Sequence, residues 1–136
     1  IAAELTGVGQ RAMEMATEYA RERQQFGRPI GAYQAVGHRC AGMLLDVEET
    51  RSLTYFGAWA ADASPDDLAL AAAMANARAL DAAWDVTASA LQVFGGIGFT
   101  WEHDLQFWLK RARVARSMLG TPREHRDRVA ELVGLG

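Results

Sequence analysis

The stretch from Ala32 to Ala63 most constrains what this chain can fold into. Across about 30 residues, Val36, Cys40, Met43, Leu44 and Val47 recur at i, i+4, i+7, i+8 and i+11, the stripe of one buried helix face. A helix of that length extends about 45 Å, which suits a long bundle and not a compact globule. The rest of the chain therefore has to offer helices that can lie beside it.

It does. Residues from about Ala2 to Gln25 are rich in Ala, Glu, Met and Arg, with Gly27 and Pro29 as the stop. Ser64-Pro65-Asp66-Asp67 supplies an N-cap, a proline at N1 and early acids, so a third helix is predicted from there to about Gln92. Its Ala69, Ala71, Ala72, Ala73, Ala75 and Ala79 let neighbouring backbones approach closely. A fourth helix follows Thr100, with Glu102 and Asp104 in a first turn where acids suit the helix dipole. Thr121-Pro122-Arg123-Glu124 is a capping box with Pro at N1, opening a short last helix. No run alternates with period 2. The expected fold is all-α, an antiparallel up-and-down four-helix bundle with a short extra C-terminal helix, one domain over 1–136.

Several function classes drop out on composition. A formal charge of −3 argues against nucleic acid as a partner. No apolar run is long enough for a membrane span. The single cysteine, Cys40, excludes an internal disulfide and fits a reducing, cytoplasmic setting. His38, His103 and His125 lack metal-ligand spacing, so no metal is expected. The chain starts without methionine on residues that already read as helix, which suggests a piece of a longer protein.

The segment Leu91 to Asp104, LQVFGGIGFTWEHD, raises a sharper question. A helix and not a strand precedes Gly95-Gly96, so a dinucleotide-binding turn is excluded, and no Lys-Ser/Thr follows for a P-loop. Locally these glycines read as a left-handed helix terminus. Two glycines plus Gly98 exceed what one terminus needs, which leaves room for close approach of a ligand or a neighbouring backbone. The alanine face of the third helix, with Phe99, Trp101, Phe107 and Trp108, carries more apolar surface than four helices can bury, the mark of an interface. Trp59, Trp84, Trp101 and Trp108 read as core and interface, and Lys110-Arg111-Arg113-Arg116 as a solvated or interface face.

Three stretches together resemble the C-terminal domain of the acyl-CoA dehydrogenases. YARERQQFGRPIGAYQAV (Tyr19 to Val36) matches the family's Arg-x-x-Phe-Gly followed by a helix-opening Gln. ALQVFGGIGFTWEHDLQFWLKRA (Ala90 to Ala112) matches Gln-x-x-Gly-Gly-x-Gly-Phe/Tyr and the helix after it. MLGT (Met118 to Thr121) stands in the place of Tyr-Glu-Gly-Thr. The resemblance implies FAD as cofactor and α,β-dehydrogenation of an acyl-CoA thioester by the full-length protein, the isolated domain being inactive. It also implies a homodimer, tetramer or hetero-oligomer with a related subunit, and an electron-accepting flavoprotein as partner.

By that resemblance Arg23 and Gln25 reach the FAD pyrophosphate of a neighbouring subunit, and Phe26 packs near the same cofactor. Gln92, Gly95 and Gly96 pass close to its adenosine half, and Thr121 touches the FAD of its own subunit. Read without it, Arg23 is a solvated arginine at a helix end and Gln92 a solvent-facing or capping amide.

The family's usual general base is the Glu of Tyr-Glu-Gly-Thr, and here that position is Leu119. Leucine cannot accept a proton, so no catalytic residue is assigned within the chain. A base before Ile1, or one in a partner subunit, would restore catalysis. Without either, the chain is a non-catalytic subunit or a helical assembly module. Two further departures are Arg111, where an Asp is common, and Arg123, where a cofactor-contacting Gln is frequent.

Overall fold

Helix α1 (Ala2–Glu22) turns Leu5, Val8, Ala12, Ala16 and Ala20 to one buried side at spacings of three and four. Helix α2 (Gln34–Ala63) runs back along it. The Thr6 and Thr54 hydroxyls meet at 3.3 Å, and Arg51 donates to the Gln10 side chain at 2.7 Å. Helix α3 (Leu68–Phe94) returns again, its Arg78 reaching Asp46 and Glu49 of α2. Helix α4 (Leu105–Ala115) is antiparallel to α1 and α3. Its Leu105 joins Ala20 and Phe94 in one buried cluster, and its Ala112 and Ala115 join Leu5 and Ala79 in another. Helix α5 (Pro122–Leu132) lies across α3 and is tied to it by the Arg126–Asp81 pair. The computed structural model describes residues 1–118 and 120–135, and across them the expected all-α bundle is present.

Every other helix packs on α3. Its buried residues include Ala71, Ala75, Ala79, Ala82, Ala83 and Ala90, spread over more than one face. Alanine favours helix and takes the least room, so one rod can accept neighbours on several sides. Fully buried Leu5, Met43, Leu80 and Leu105 fill the gaps, each stabilising by about 1.5–3 kcal/mol. The buried hydroxyls of Thr50 and Thr87 donate to the carbonyls of Asp46 and Ala83 at 2.7 Å, leaving no open polar group there.

The structure departs from expectation at the ends of elements. α1 stops at Glu22, because Gln24–Gln25 (β1) pairs with Arg28–Pro29 (β2) in a minimal antiparallel ladder. Ile30–Ala32 is a 3-10 turn, which delays α2 to Gln34. Ser64 caps nothing with its side chain: its hydroxyl donates to Asp67 at 2.7 Å, and Pro65–Asp67 forms a 3-10 turn before α3. The fourth helix is short, and Glu102 and Asp104 precede it. Leu44 is 48% exposed, off the stripe that buries Met43 and Val47. The alanine face of α3 is consumed inside the bundle and is not surplus surface. Of the four aromatics expected beside it, Phe99, Trp101 and Phe107 are exposed and Trp108 is half-buried.

Candidate functional site

α1 ends where Arg23 takes an extended conformation (φ −68°, ψ 118°), its N–H still donating to the Tyr19 carbonyl. Register Gln24↔Pro29 and Gln25↔Arg28 leaves Phe26-Gly27 as a two-residue loop. Both loop residues have positive φ, 50° and 81°, as in a type I′ hairpin. Glycine adopts this freely, whereas a phenylalanine held there is strained by about 1–3 kcal/mol. Its side chain is 92% exposed, with the edge of Tyr33 as its ring neighbour at 6.4 Å. Tyr33 braces the hairpin: its hydroxyl donates to the Gln25 carbonyl at 3.0 Å, and the Arg28 guanidinium lies 4.0 Å from its ring centre. Arg23 is exposed and its guanidinium meets no carboxylate among the described residues.

The second segment begins at the end of α3. Phe94 lies 4.9 Å from the Tyr19 ring, so the α1 hairpin and the end of α3 share one end of the bundle. Gln92, in the last turn, is exposed. Gly95 has φ 63° and ψ −138°, a region glycine alone enters readily. This corrects the expected left-handed terminus, where ψ would be near about +47°. From Gly95 the chain passes into a 3-10 turn through Phe99, closed by the Thr100 N–H and hydroxyl, both donating to the Ile97 carbonyl. Gly98 is buried against Phe94 and Leu91. Gly96 has ordinary φ and open space where a side chain would stand, so nothing among the described residues requires glycine there.

Arg23, Gln25, Phe26, Gln92, Gly95 and Gly96 are thus brought to one end. Thr121 is not among them. It caps α5 beyond the last turn of α4, whose Ala112 and Ala115 pack beside Leu5 at the start of α1. The expected capping box is present: Thr121 Oγ1 accepts from the Glu124 N–H at 3.2 Å, and Glu124 Oε2 accepts from the Thr121 N–H at 2.6 Å. Those bonds hold the Glu124 carboxyl below its ordinary range, the backbone donor foremost. Leu119 lies outside the described residues.

The basic run is more engaged than a solvated face. Arg111 donates to Glu4 of α1 and holds that carboxyl below its ordinary range, chiefly through this hydrogen bond. Lys110 sits 4.5 Å from the Trp101 ring centre, and Arg116 lies 3.5 Å from Asp81. Lys110, Arg113, Val114, Arg116 and Ser117 line a cavity of about 720 Å³ together with Trp84. None of the four tryptophans is fully buried; Trp59 is 51% and Trp101 79% exposed.

Sequence reading missed two residues at the hairpin end. Tyr33 could have been suspected from an aromatic just beyond a Phe-Gly turn. His103 was weighed only as a metal ligand. Among the described residues, no cluster of His, Cys, Asp and Glu could hold a metal ion, and no helix is long and apolar enough to cross a membrane.

Residues 1–134 match the family described as acyl-CoA dehydrogenase, C-terminal domain. The acyl-CoA dehydrogenase IpdE2 of Mycolicibacterium smegmatis is 38% identical over 129 residues, covering 95% of this chain and 40% of the relative. Acyl-CoA dehydrogenase FadE34 of Mycobacterium tuberculosis is 41% identical over 137 residues, covering 100% of this chain and 19% of the relative. A solved FAD complex of PigA superposes with a TM-score of 0.93 at 31% identity, covering 98% of this chain and 35% of that one. The chain therefore spans less than half the length of these relatives. With the family match running through helices, hairpin and glycine turn alike, the chain belongs to the acyl-CoA dehydrogenase family, through its C-terminal domain.

Proposed function

We propose that this chain is the FAD-contacting and subunit-pairing domain of a longer acyl-CoA dehydrogenase, in which an N-terminal helical domain and a β-domain precede it. One observation carries the reading. At a single end of the bundle stand an arginine without a carboxylate, a strained and exposed phenylalanine, and a glycine with no internal reason to be one. An outside group with an anionic part and a planar part fits all three. Arg23 would donate to a diphosphate, with the exposed side chain of Gln25 beside it. Phe26 would pack on the planar part, and the bare backbone of Gly95 and Gly96, next to Gln92, would admit it closely. FAD has that chemistry, and PigA, which shares the fold, is solved with it. When bound, flavin accepts the hydride leaving the β-carbon of the acyl thioester. Thr121, at the other end, would serve the FAD of its own subunit, which places these contacts in two different sites of a dimer or larger oligomer. An electron-accepting flavoprotein then takes the electrons, and the cytoplasm is the compartment Cys40 suits.

The α-proton needs a separate base. Beside the Met118–Thr121 segment, Glu124 is committed to the α5 cap and Glu4 to Arg111. Both are held more acidic than usual, which weakens them as bases. With Leu119 at the family's Glu position, the base belongs to residues outside this sequence or to a partner subunit. The alternative is a non-catalytic partner subunit or assembly module, favoured by the same Leu119. Flavin bleaching by a panel of acyl-CoAs separates the two, using the full-length assembly beside Leu119→Ala and Leu119→Glu. Bleaching by wild type and Leu119→Ala supports a relocated base. Bleaching by Leu119→Glu alone means that the base was lost and the enzyme assignment fails. The isolated domain should turn over no substrate.

A further inference from the structure

We infer that His103 is the positioning residue of the Gly95–Phe99 turn, and that it acts as the neutral imidazole. The first N–H groups of any α-helix lack intrahelical partners. In α4 the N-cap residue, Asp104, makes no capping bond with its side chain. Instead the Leu105 N–H donates to His103 Nδ1 at 3.2 Å. Nδ1 must then carry the lone pair, which leaves the ring proton on Nε2.

The same ring does a second thing. It lies 4.2 Å from Phe94, tilted by 58°, and Phe94 in turn lies 4.9 Å from Tyr19. Three rings, from the ends of α1 and α3 and the approach to α4, form a column beside the glycine turn. Between Phe94 and Leu105 the chain has no α-helical ladder to fix its path. His103 spans that gap, with its ring on the residue before the turn and its nitrogen on the first residue after it.

Protonation would undo this arrangement. Nδ1 would become a donor facing the Leu105 donor, and a positive charge would sit at the positive end of the α4 dipole. Around the ring, α3 contributes the uncharged Phe94, and α1 contributes Tyr19 behind it. On its own segment stand the exposed carboxylates of Glu102 and Asp104. Insofar as the glycine turn meets flavin, which rests on the function proposed above, the state of His103 also sets flavin retention.

Amide exchange across residues 95–110 and flavin content, measured together on the full-length assembly at pH 8 and pH 5.5, test this. Wild type is compared with His103→Asn, whose carbonyl can accept the same N–H but does not titrate, and with His103→Ala. At pH 8, wild type and His103→Asn should exchange alike, and His103→Ala about five- to tenfold faster. At pH 5.5, wild type should move toward His103→Ala while His103→Asn stays protected. If wild type and His103→Asn remain alike at pH 5.5, the inference is overturned, and this comparison decides even if His103→Ala fails to assemble. Should exchange follow the expected order while flavin content does not, the positioning role stands and the flavin contact of the glycines is refuted.

Discussion

A Cβ placed on Gly98 would come within 2.9 Å of the Phe94 Cβ and 3.0 Å of Leu91 Cδ1. Two of the three glycines of this short turn therefore have a physical reason within the chain, and the two reasons differ. Gly98 is there for packing and Gly95 for its backbone angles. Gly96 is explained by neither.

Substitution should separate them. Gly98→Ala forces backbone or core to shift and should cost about 1–3 kcal/mol. Gly96→Ala should leave stability within about 0.5 kcal/mol yet lower flavin occupancy of the assembled protein. Thermal unfolding and flavin absorbance on the same samples check both. Equal destabilisation by the two variants would contradict the distinction.

Phe26→Asn tests the strained hairpin. Asparagine tolerates positive φ, so the variant should be as stable as wild type or more so, by up to about 1 kcal/mol. Its flavin retention should fall if Phe26 packs on the planar part of the cofactor as proposed. A gain in stability together with a loss of cofactor marks strain kept for function; a loss of both would mean that Phe26 packs within its own chain.

If Arg23 donates to the diphosphate as proposed, Arg23→Ala removes charge-assisted hydrogen bonds of about 1.5–3 kcal/mol. Flavin affinity should drop about ten- to a hundredfold. Arg23→Lys should recover part of it, since an ammonium lacks the planar fork. Flavin content after extensive dialysis is the readout, and an unchanged content in Arg23→Ala excludes the diphosphate contact.

Thr121→Ala should destabilise by about 1 kcal/mol through loss of the α5 cap, as read by chemical denaturation. The cap also has a pH signature. The Glu124 carboxyl is lowered in the folded chain from 4.5, so its contribution is complete above pH 4.5 and is lost as pH falls through the lower folded value. Glu124→Gln should flatten the stability profile in that acid range and leave its neutral-pH shape alone. A wild-type profile identical to that of Glu124→Gln below pH 4.5 would rule the carboxyl out.

Regular periodicity was readable at long range. The stripe through Met43 and Val47 and the Thr121 capping box appear where residue spacing placed them. Irregular backbone was not. Nothing in Arg23-Gln24-Gln25-Phe26 announces a strand, because the ladder exists only through the turn at Phe26-Gly27 and the brace from Tyr33. The aromatic column of Tyr19, Phe94 and His103 joins residues 75 and 9 positions apart, counted from their numbers, and local pattern holds no information about such meetings. Motif resemblance named the hairpin and the glycine turn as a site. That they share one end follows from the α1–α3 packing alone.

Every other helix packs on the alanine-lined α3, and α1 packs on α2 and α4 as well, so no outer helix keeps a buried face separate from the rest. Such wiring makes folding collective. Damage anywhere along that axis is felt at both ends, and the domain should melt in one transition with no partly folded half surviving. It also directs where change is costly: a single methyl group added to the buried faces of the central rod would press on several helices at once.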